Sequence, residues 1–579
     1  MSFRVWAPNA REAVALVLRG ERREMREAGG GWWESDEPAL PGDRYAFAID
    51  AGEPRADPRA LALPDGPEGA AEVVDRDRLG AAVVPWAGAE LAGAVIYELH
   101  VGTFTPEGTL DSAIARLDHL AALGVGIVEV MPLATFPGRH GWGYDGVGLY
   151  AVHAAYGGPL AFRRFIDACH ARGLGVCLDV VYNHLGPSGN HLGEFGPYFT
   201  DRYGTPWGEA VNLDGSGSDE VRRFIIDNAL QWLRDFGVDA LRLDAVDALF
   251  DGRAITLVKQ LTAEVDALSG ELGRPLWVIA ESGSNDPLTV TAREANGAGF
   301  HAQWADDVHH ALHVALTGET QGYYADFAAP GALAKVLEAI FFHDGCWSSF
   351  RGRSHGAPID RAALPGARFV ISLQTHDQVG NRAQGDRLSM DISPGLLACG
   401  AALLLTGAGT PMLFMGEEWG ASTPWLYFTD HTDPAIADAV RRGRRAEFAA
   451  YGWRLDDVPD PQAEDTFERS RLDWGELAQP PHDRLLEWYR ALIRLRREQP
   501  DLRDPRLDLV RVEHDAAART VLVHRGGHVV VANLGPQPLA LGVPGGLVIA
   551  LASDPSATAL EGARITLPAE AAAVLGPAT

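Results

Sequence analysis

Lysine is almost missing from these 579 residues. Only Lys259 and Lys335 occur, so the 50 positive side chains are nearly all arginine. Positive charge as a whole is also short: against 78 Asp and Glu it leaves a formal net charge of −28 at pH 7. Such a surface repels phosphate backbones and anionic lipid, which excludes nucleic acid and membrane surfaces as expected partners. Cysteine is scarce too. Cys169, Cys177, Cys346 and Cys399 are too few to staple so long a chain, and no Cys-x-x-Cys occurs. Buried free thiols in a reducing compartment are expected, with neither a zinc knuckle nor a dithiol redox site. The opening Met1-Ser-Phe-Arg-Val-Trp-Ala-Pro8 lacks the basic-then-apolar layout of a signal peptide, which predicts a cytoplasmic protein. One long uncharged run is present, Ile392 to Gly416, but Pro394, Gly395, Gly400, Gly407, Gly409 and Pro411 interrupt it. It reads as a helix, a Gly-rich turn and a short strand, Met412–Met415, of a barrel wall rather than as a membrane span.

What is present is ordinary for a globular protein, 46% apolar and 22% charged. The first stretch alternates or runs apolar at Phe3–Trp6, Val14–Leu18 and Tyr45–Ile49, with turns at Gly29-Gly-Gly31 and Pro41-Gly-Asp43. That predicts a small β-sandwich, which a Pro-, Gly- and Ala-rich connector over 51–93 completes as a first domain, 1–93. From 94 the pattern changes to short apolar strands alternating with amphipathic helices. Strands are expected at Val95–Leu99, Gly126–Val130, Gly175–Val181, Val238–Leu243, Leu276–Ala280, Phe300–Trp304, Phe369–Leu373 and Met412–Met415. Helices are expected at Asp111–Leu123, Leu160–Arg172, Ser218–Phe236, Ile255–Leu268 and Arg484–Arg497. Eight βα repeats over 94–500 mean an α/β protein built on a (β/α)8 TIM barrel, whose chemistry sits at the carboxyl ends of its strands. Alternating runs at Leu507–Val512, Thr520–His524 and His528–Ala532 predict a small C-terminal β-domain, 501–579.

Three of those strand ends carry acids. Asp239-Ala-Leu-Arg-Leu-Asp244 places Arg242 and Asp244 two apart, on the same face of one strand. Leu276-Trp-Val-Ile-Ala-Glu281 ends an apolar run in a carboxylate, and Gln374-Thr-His-Asp377-Gln follows the seventh strand. Neighbouring strands lie about 4.8 Å apart, close to the roughly 5–5.5 Å that separates the two carboxylates of a retaining glycosidase. Arg242 favours an ionised Asp244, which suits a nucleophile. Glu281 has no cation adjacent in sequence and faces two anions, which keeps it protonated as the general acid. Asp377 would hold the sugar hydroxyls. Trp142, Tyr144, Trp207, Trp304, Trp347 and Trp425 fall in expected loops, and aromatic planes suit the apolar C–H faces of sugars.

These residues resemble the α-amylase superfamily. Its four short signatures stand in order as Asp179-Val-Val-Tyr-Asn-His184, Ala240-Leu-Arg-Leu-Asp244, Ile279-Ala-Glu-Ser282 and Gln374-Thr-His-Asp-Gln378. The resemblance implies Asp244 as nucleophile, Glu281 as proton donor and Asp377 as transition-state stabiliser. It also implies that Tyr144, His184, Arg242 and His376, with Gln378 and Asn381, line the subsite of the sugar being cleaved. Within the superfamily, further stretches resemble the branch that cuts the α-1,4 bond between a maltooligosaccharide and a terminal trehalose. They are Phe3-Arg-Val-Trp-Ala-Pro-Asn9, Glu129–Gly138 running into Gly141–Gly146, His301–His310 and Phe350-Arg-Gly-Arg353. That likeness implies maltooligosyltrehalose and α-1,4-glucans as substrates, with Trp304, Asp306, Asp307 and His309 contacting the leaving trehalose. No cofactor and no metal are implied, although an asparagine like Asn183 helps bind calcium in many α-amylases. Two positions depart from the pattern: Asp247 stands where His is often found, adding charge that would raise Glu281 or bond a trehalose hydroxyl, and Thr375 stands where Asn is usual. A glycogen-branching transferase shares sandwich, barrel and triad and is the competing reading; a non-catalytic glucan-binding barrel is a third.

Overall fold

A computed structural model describes residues 3–80, 84–449 and 458–578; Met1 and Ser2 of the N-terminal reading, residues 81–83 of the connector and residues 450–457 of the barrel region lie outside it. Eight parallel strands close into one barrel: β1 (Ile96–Leu99), β2 (Ile127–Val130), β3 (Gly175–Val180), β4 (Ala240–Leu243), β5 (Trp277–Ala280), β6 (Ala302–Trp304), β7 (Phe369–Ser372) and β8 (Thr410–Phe414). Each is an almost wholly buried apolar run, as expected of strands covered on both faces.

The inside of the barrel follows from side-chain alternation. One residue per strand forms an apolar floor: Ile96, Ile127, Cys177, Ala240, Ile279, Ala302, Val370 and Met412. Two positions further along each strand, the next inward ring reads Glu98, Glu129, Asp179, Arg242, Glu281, Trp304, Ser372 and Phe414. The floor is closed from below by the connector, where Ala89 and Leu91 pack into the same cluster beside Trp86 and Trp277. The connector is thus not a loose link. Trp86 stacks on His170 at 4.4 Å and donates to Asp239 at 2.7 Å, and the Trp277 indole donates to the Ala89 carbonyl at 2.7 Å.

The uncharged run 392–416 is a helix, Pro394–Leu405, and the strand β8, and no helix among the described residues is long and apolar enough to cross a membrane. The expected helix over 111–123 is two pieces, Leu110–Ile114 and Leu117–Leu123, the first started by a reciprocal Thr109–Ser112 cap. The helix expected over 218–236 becomes a π turn at Trp232–Phe236, which Gly237 ends in the left-handed region (φ 84°). Leu507–Leu509 is a 3₁₀ turn rather than strand, closed by the Val510 N–H on the Leu507 carbonyl at 3.1 Å, which also accepts from the Arg361 guanidinium at 2.6 Å; pairing starts at Arg511.

Before the barrel, a three-stranded and a four-stranded antiparallel sheet bury Phe3, Val5, Val14, Leu16 and Phe47. They dock through Trp6 edge-on to Tyr198 (5.4 Å) and Arg59 on Asp227 (2.9 Å). After it come a five-stranded and a three-stranded sheet, the five-stranded one packing on the helix Pro394–Leu405. The buried Arg496 ties the end of that helix and the turn after it to Leu502, donating to the carbonyls of Leu405, Gly407, Gly409 and Leu502 at 2.8–3.2 Å, with no carboxylate partner among the described residues. All four cysteines are free; Cys169, Cys177 and Cys399 are buried and Cys346 is half-buried.

Candidate active site

β4 and β5 run in register, Leu243 opposite Ala280, so Asp244 and Glu281 leave adjacent strands at the same height. The backbone continues the pairing one step further, with the Glu281 N–H donating to the Leu243 carbonyl at 2.9 Å. Arg242 lies beneath both carboxyls. Its Nη1 donates to Asp244 Oδ1 at 2.9 Å and to Asp179 Oδ2 at 2.8 Å, while Nη2 stands 3.7 Å from Glu281 Oε2. The guanidinium is fully buried and sits 4.4 Å over the Trp304 ring, which fixes its plane. Asn183 completes the hold on Asp244, its Nδ2 donating to Oδ2 at 2.7 Å and to the Asp244 main-chain carbonyl at 2.9 Å.

The residue after the nucleophile, Ala245, is in the left-handed region at φ 38°, an uncommon place for a side chain with Cβ. That turn aims its N–H at Glu281, whose Oε2 accepts at 2.5 Å. Burial pushes the Glu281 carboxyl up to about 8; Arg242 opposes this, and Asp244, Asp377 and Asp306 add to it. The acid is therefore protonated through neutral pH. No cation adjoins Glu281 in sequence, but the fold brings Arg242 to within 3.7 Å of it, and desolvation is the largest cause of the raised Glu281.

Asp377 lies in the first turn of the short helix His376–Gly380, and its side chain is 45% exposed to the mouth. Thr375 is the N-cap, its hydroxyl accepting the Asp377 N–H at 3.2 Å and bonding Gln378 Oε1, so threonine here is a capping choice. Asn381 Nδ2 donates to Asp377 Oδ1 at 3.3 Å, and Gln378 Nε2 to Asp306 Oδ1 at 3.3 Å. His376 is buried between Glu98 and Tyr144. Its Nδ1 meets Glu98 Oε1 at 2.5 Å, its Nε2 meets the Tyr144 hydroxyl at 2.8 Å, and Tyr144 donates to Asp179 Oδ2 at 2.7 Å. Burial works against a charge on His376, but Asp377 and Glu98 outweigh it and hold the ring up to about 9.

Two flanks open from this centre. On one, His184 stacks on Trp207 (4.3 Å, 5° between planes), and Trp207 is 49% exposed over a cavity of about 370 Å³ lined also by Asp145, Phe199 and His431. On the other, Asp306 faces the mouth, with burial and then Asp377 and Asp307 raising it to about 6. Beyond it lie the exposed Trp347 and Phe350, and Arg351 donates to the Gly283 carbonyl at 3.1 Å.

Several expected contacts turn elsewhere. Asp307 faces away from the mouth: its Oδ2 accepts from Asn285 Nδ2 and from the N–H groups of Phe342 and His343, each at 2.8 Å. His309 is also internal, with Nδ1 on the Leu373 carbonyl at 2.6 Å and Nε2 on the Tyr324 hydroxyl at 3.0 Å. Trp304 is 4% exposed and forms the bed of Arg242 rather than a sugar platform. Trp142 and Trp425 stack on each other at 5.4 Å inside the wall. Asp247 makes no contact with Glu281; its oxygens accept from Ser282 Oγ and the Gly283 N–H, both at 2.9 Å, and brace the loop after the acid. Glu98, Glu129, Asp179 and Asn183 were not singled out from sequence as site residues, although two-residue alternation from Ile96, Ile127 and Cys177 points to the first three. Among the described residues no group of three or more His, Cys, Asp or Glu could hold a metal ion.

With this geometry established, residues 73–195 match the model of the alpha-amylase catalytic domain and residues 505–574 that of a domain of unknown function, DUF3459. The chain is 54% identical to the malto-oligosyltrehalose trehalohydrolase of Arthrobacter ramosus, over 95% of both chains. It is 51% identical to that of Rhizobium sp. strain M-11, over 99% of this chain and 97% of the relative. Among solved structures, a Salmonella typhimurium protein assigned to the alpha amylases superposes with a TM-score of 0.90 at 38% identity, over 99% of this chain and 97% of the other.

Proposed function

We propose that Asp244, Glu281 and Asp377 carry out hydrolysis with retention in this chain, which belongs to the malto-oligosyltrehalose trehalohydrolases of the α-amylase superfamily. It is a glycoside hydrolase that cuts the α-1,4 bond between a maltooligosaccharide and its terminal trehalose, releasing trehalose. The observation that carries the assignment of roles is the register of β4 and β5, with one guanidinium under both carboxyls. That pairing leaves about 5 Å between them, enough for a sugar carbon but not for an intervening water.

In the first step Asp244 attacks the anomeric carbon while Glu281 gives its proton to the departing O4 of trehalose. Asp377 accepts from sugar hydroxyls and tightens on them as the ring flattens and gains positive charge. In the second step Glu281, now a carboxylate, takes a proton from water as that water displaces Asp244, and the acid is restored. Tyr144, His184 and His376 border the sugar being cleaved. The glucan lies along the Trp207 flank, where the indole offers a face to its C–H groups. Trehalose leaves past Asp306, with Gln378 and Asn381 between it and Asp377. A cytoplasmic setting, supported by four unpaired thiols, and the division at 93/94 and 500/501 belong to the same reading.

Incubation with maltooligosyltrehalose and with plain maltooligosaccharide, followed by proton NMR, tests it. Trehalose should appear markedly faster than glucose or maltose, with the new reducing end born as the α anomer. A β anomer would remove Asp244 from the nucleophile's role, and α-1,6 branches formed in amylose would mark a transferase instead.

A further inference from the structure

Glu98 has no part in the chemistry above, yet it is buried in the ring that carries Arg242 and Glu281. It touches His376 twice. Oε1 lies 2.5 Å from the ring Nδ1, and Oε2 accepts the His376 backbone N–H at 3.0 Å. From the other ring nitrogen a chain of hydrogen bonds runs through Tyr144 and Asp179 to Arg242, which holds the nucleophile. The direction of that chain depends on one proton. With both ring nitrogens protonated, Nε2–H donates to Tyr144, whose own O–H is free to donate to Asp179. With Nε2 bare, the ring competes for the tyrosine proton, and Asp179 loses a donor beside Arg242.

We propose that Glu98 is a positioning residue that keeps His376 doubly protonated and so sets the direction of the hydrogen-bond chain ending on Asp244. The groups facing His376 support this. Asp377 stands beside it with Oδ1 3.5 Å from Nε2, and Tyr144 and Asp179 lie beyond, while Arg242 on β4 opposes the charge. His100 next to Glu98 is held down to about 3 by burial and is neutral. Glu129, adjacent to Glu98 on β2, is 1% exposed, and beside it on β3 lies Cys177. Burial, with Glu98 and Asp179, pushes Glu129 up to about 8, whereas both contacts to His376 are made by Glu98.

The inference rests on Asp244 and Glu281 acting as proposed, and Glu98→Gln tests it separately. In the unaltered enzyme the alkaline limb of kcat should follow Glu281, which burial pushes up to about 8. In Glu98→Gln it should move down to about 6.5 or below, so that kcat at pH 7.5 relative to pH 5.5 falls about tenfold more than in the parent. Glu129→Gln, an isostere of the neutral acid, should leave the limb in place. In ¹⁵N-histidine-labelled protein the downfield Nδ1–H resonance of the parent should vanish in Glu98→Gln and persist in Glu129→Gln, with circular dichroism showing both folded. A Glu98→Gln enzyme that loses rate equally at every pH, or keeps that resonance, would overturn the proposal. The nucleophile assignment stands or falls on the product anomer of the unaltered enzyme instead.

Discussion

Replacing Glu281 by Gln should make this protein a poorer enzyme and a more stable one, and the structure gives both magnitudes. The carboxyl lies at about 8 in the folded chain against an ordinary 4.5. An acid raised on folding binds its proton more tightly when native. Its stabilising contribution is fully present below about 4.5 and is lost as pH rises through about 8. That interval corresponds to about 5 kcal/mol at roughly 1.4 kcal/mol per pH unit. The side chain keeps 21% exposure in the mouth, and solvent there screens the penalty to about 2–3 kcal/mol. Gln cannot ionise, so at pH 8.5 the thermal midpoint of Glu281→Gln should exceed the parent's by a few degrees, whereas at pH 4.5 the two should coincide. Activity should move the other way, with kcat on maltooligosyltrehalose falling about 10³-fold. An α-maltosyl fluoride assayed with azide needs neither a proton on leaving nor a base for the second step, and should recover most of that loss. Differential scanning fluorimetry across pH, paired with the two assays, checks the set. Equal midpoints at pH 8.5 would refute burial as the source of the raised acid, and an equal loss on both substrates would refute the proton-donor role.

Asp244→Asn should lower turnover by at least about 10⁴-fold while calorimetry still detects substrate, because Arg242 and Asn183 keep their other partners. Retained activity there would end the nucleophile assignment. Asp247→Ala frees Ser282 and the Gly283 N–H from their brace; KM for maltooligosyltrehalose should rise roughly tenfold with kcat little changed, as steady-state kinetics would show. Arg496→Ala strands the carbonyls it now satisfies. About 3 kcal/mol of stability should go, seen as a lower urea midpoint, with activity at 25 °C unaltered.

The barrel was legible because a strand buried on both faces is a mostly apolar run, and eight such runs recur with helical sequence between them. The acids were legible because each ends one of those runs. What could not be read was which way a polar residue points off a helix or loop. Asp306, Asp307 and His309 begin one helix, where successive side chains diverge by about 100°. Asp306 reaches the mouth, whereas Asp307 and His309 are captured by loops distant in sequence. Asp247 carried no sequence signal of bracing, since its partners Ser282 and Gly283 lie on another loop 35 and 36 residues on; Thr375 opens a Thr-x-x-Gln run, a helix-start spacing that the sequence did offer. Glu98 and Glu129 were readable by alternation alone, but an acid inside a strand of Ile, Val and Leu is easily taken for an outward residue.

The stopper of Trp86, Ala89 and Leu91 beneath the barrel makes the catalytic well a cul-de-sac. The packed floor turns substrate, product and water alike toward the mouth, so on the proposed two-step route water reaches the second step from the side on which trehalose departs. On that route a trehalose still seated beside Glu281 would compete with water for the glycosylated aspartate and could reclaim the glucan in the reverse direction. Free trehalose at high concentration should therefore slow net hydrolysis, as initial rates measured with added trehalose would show.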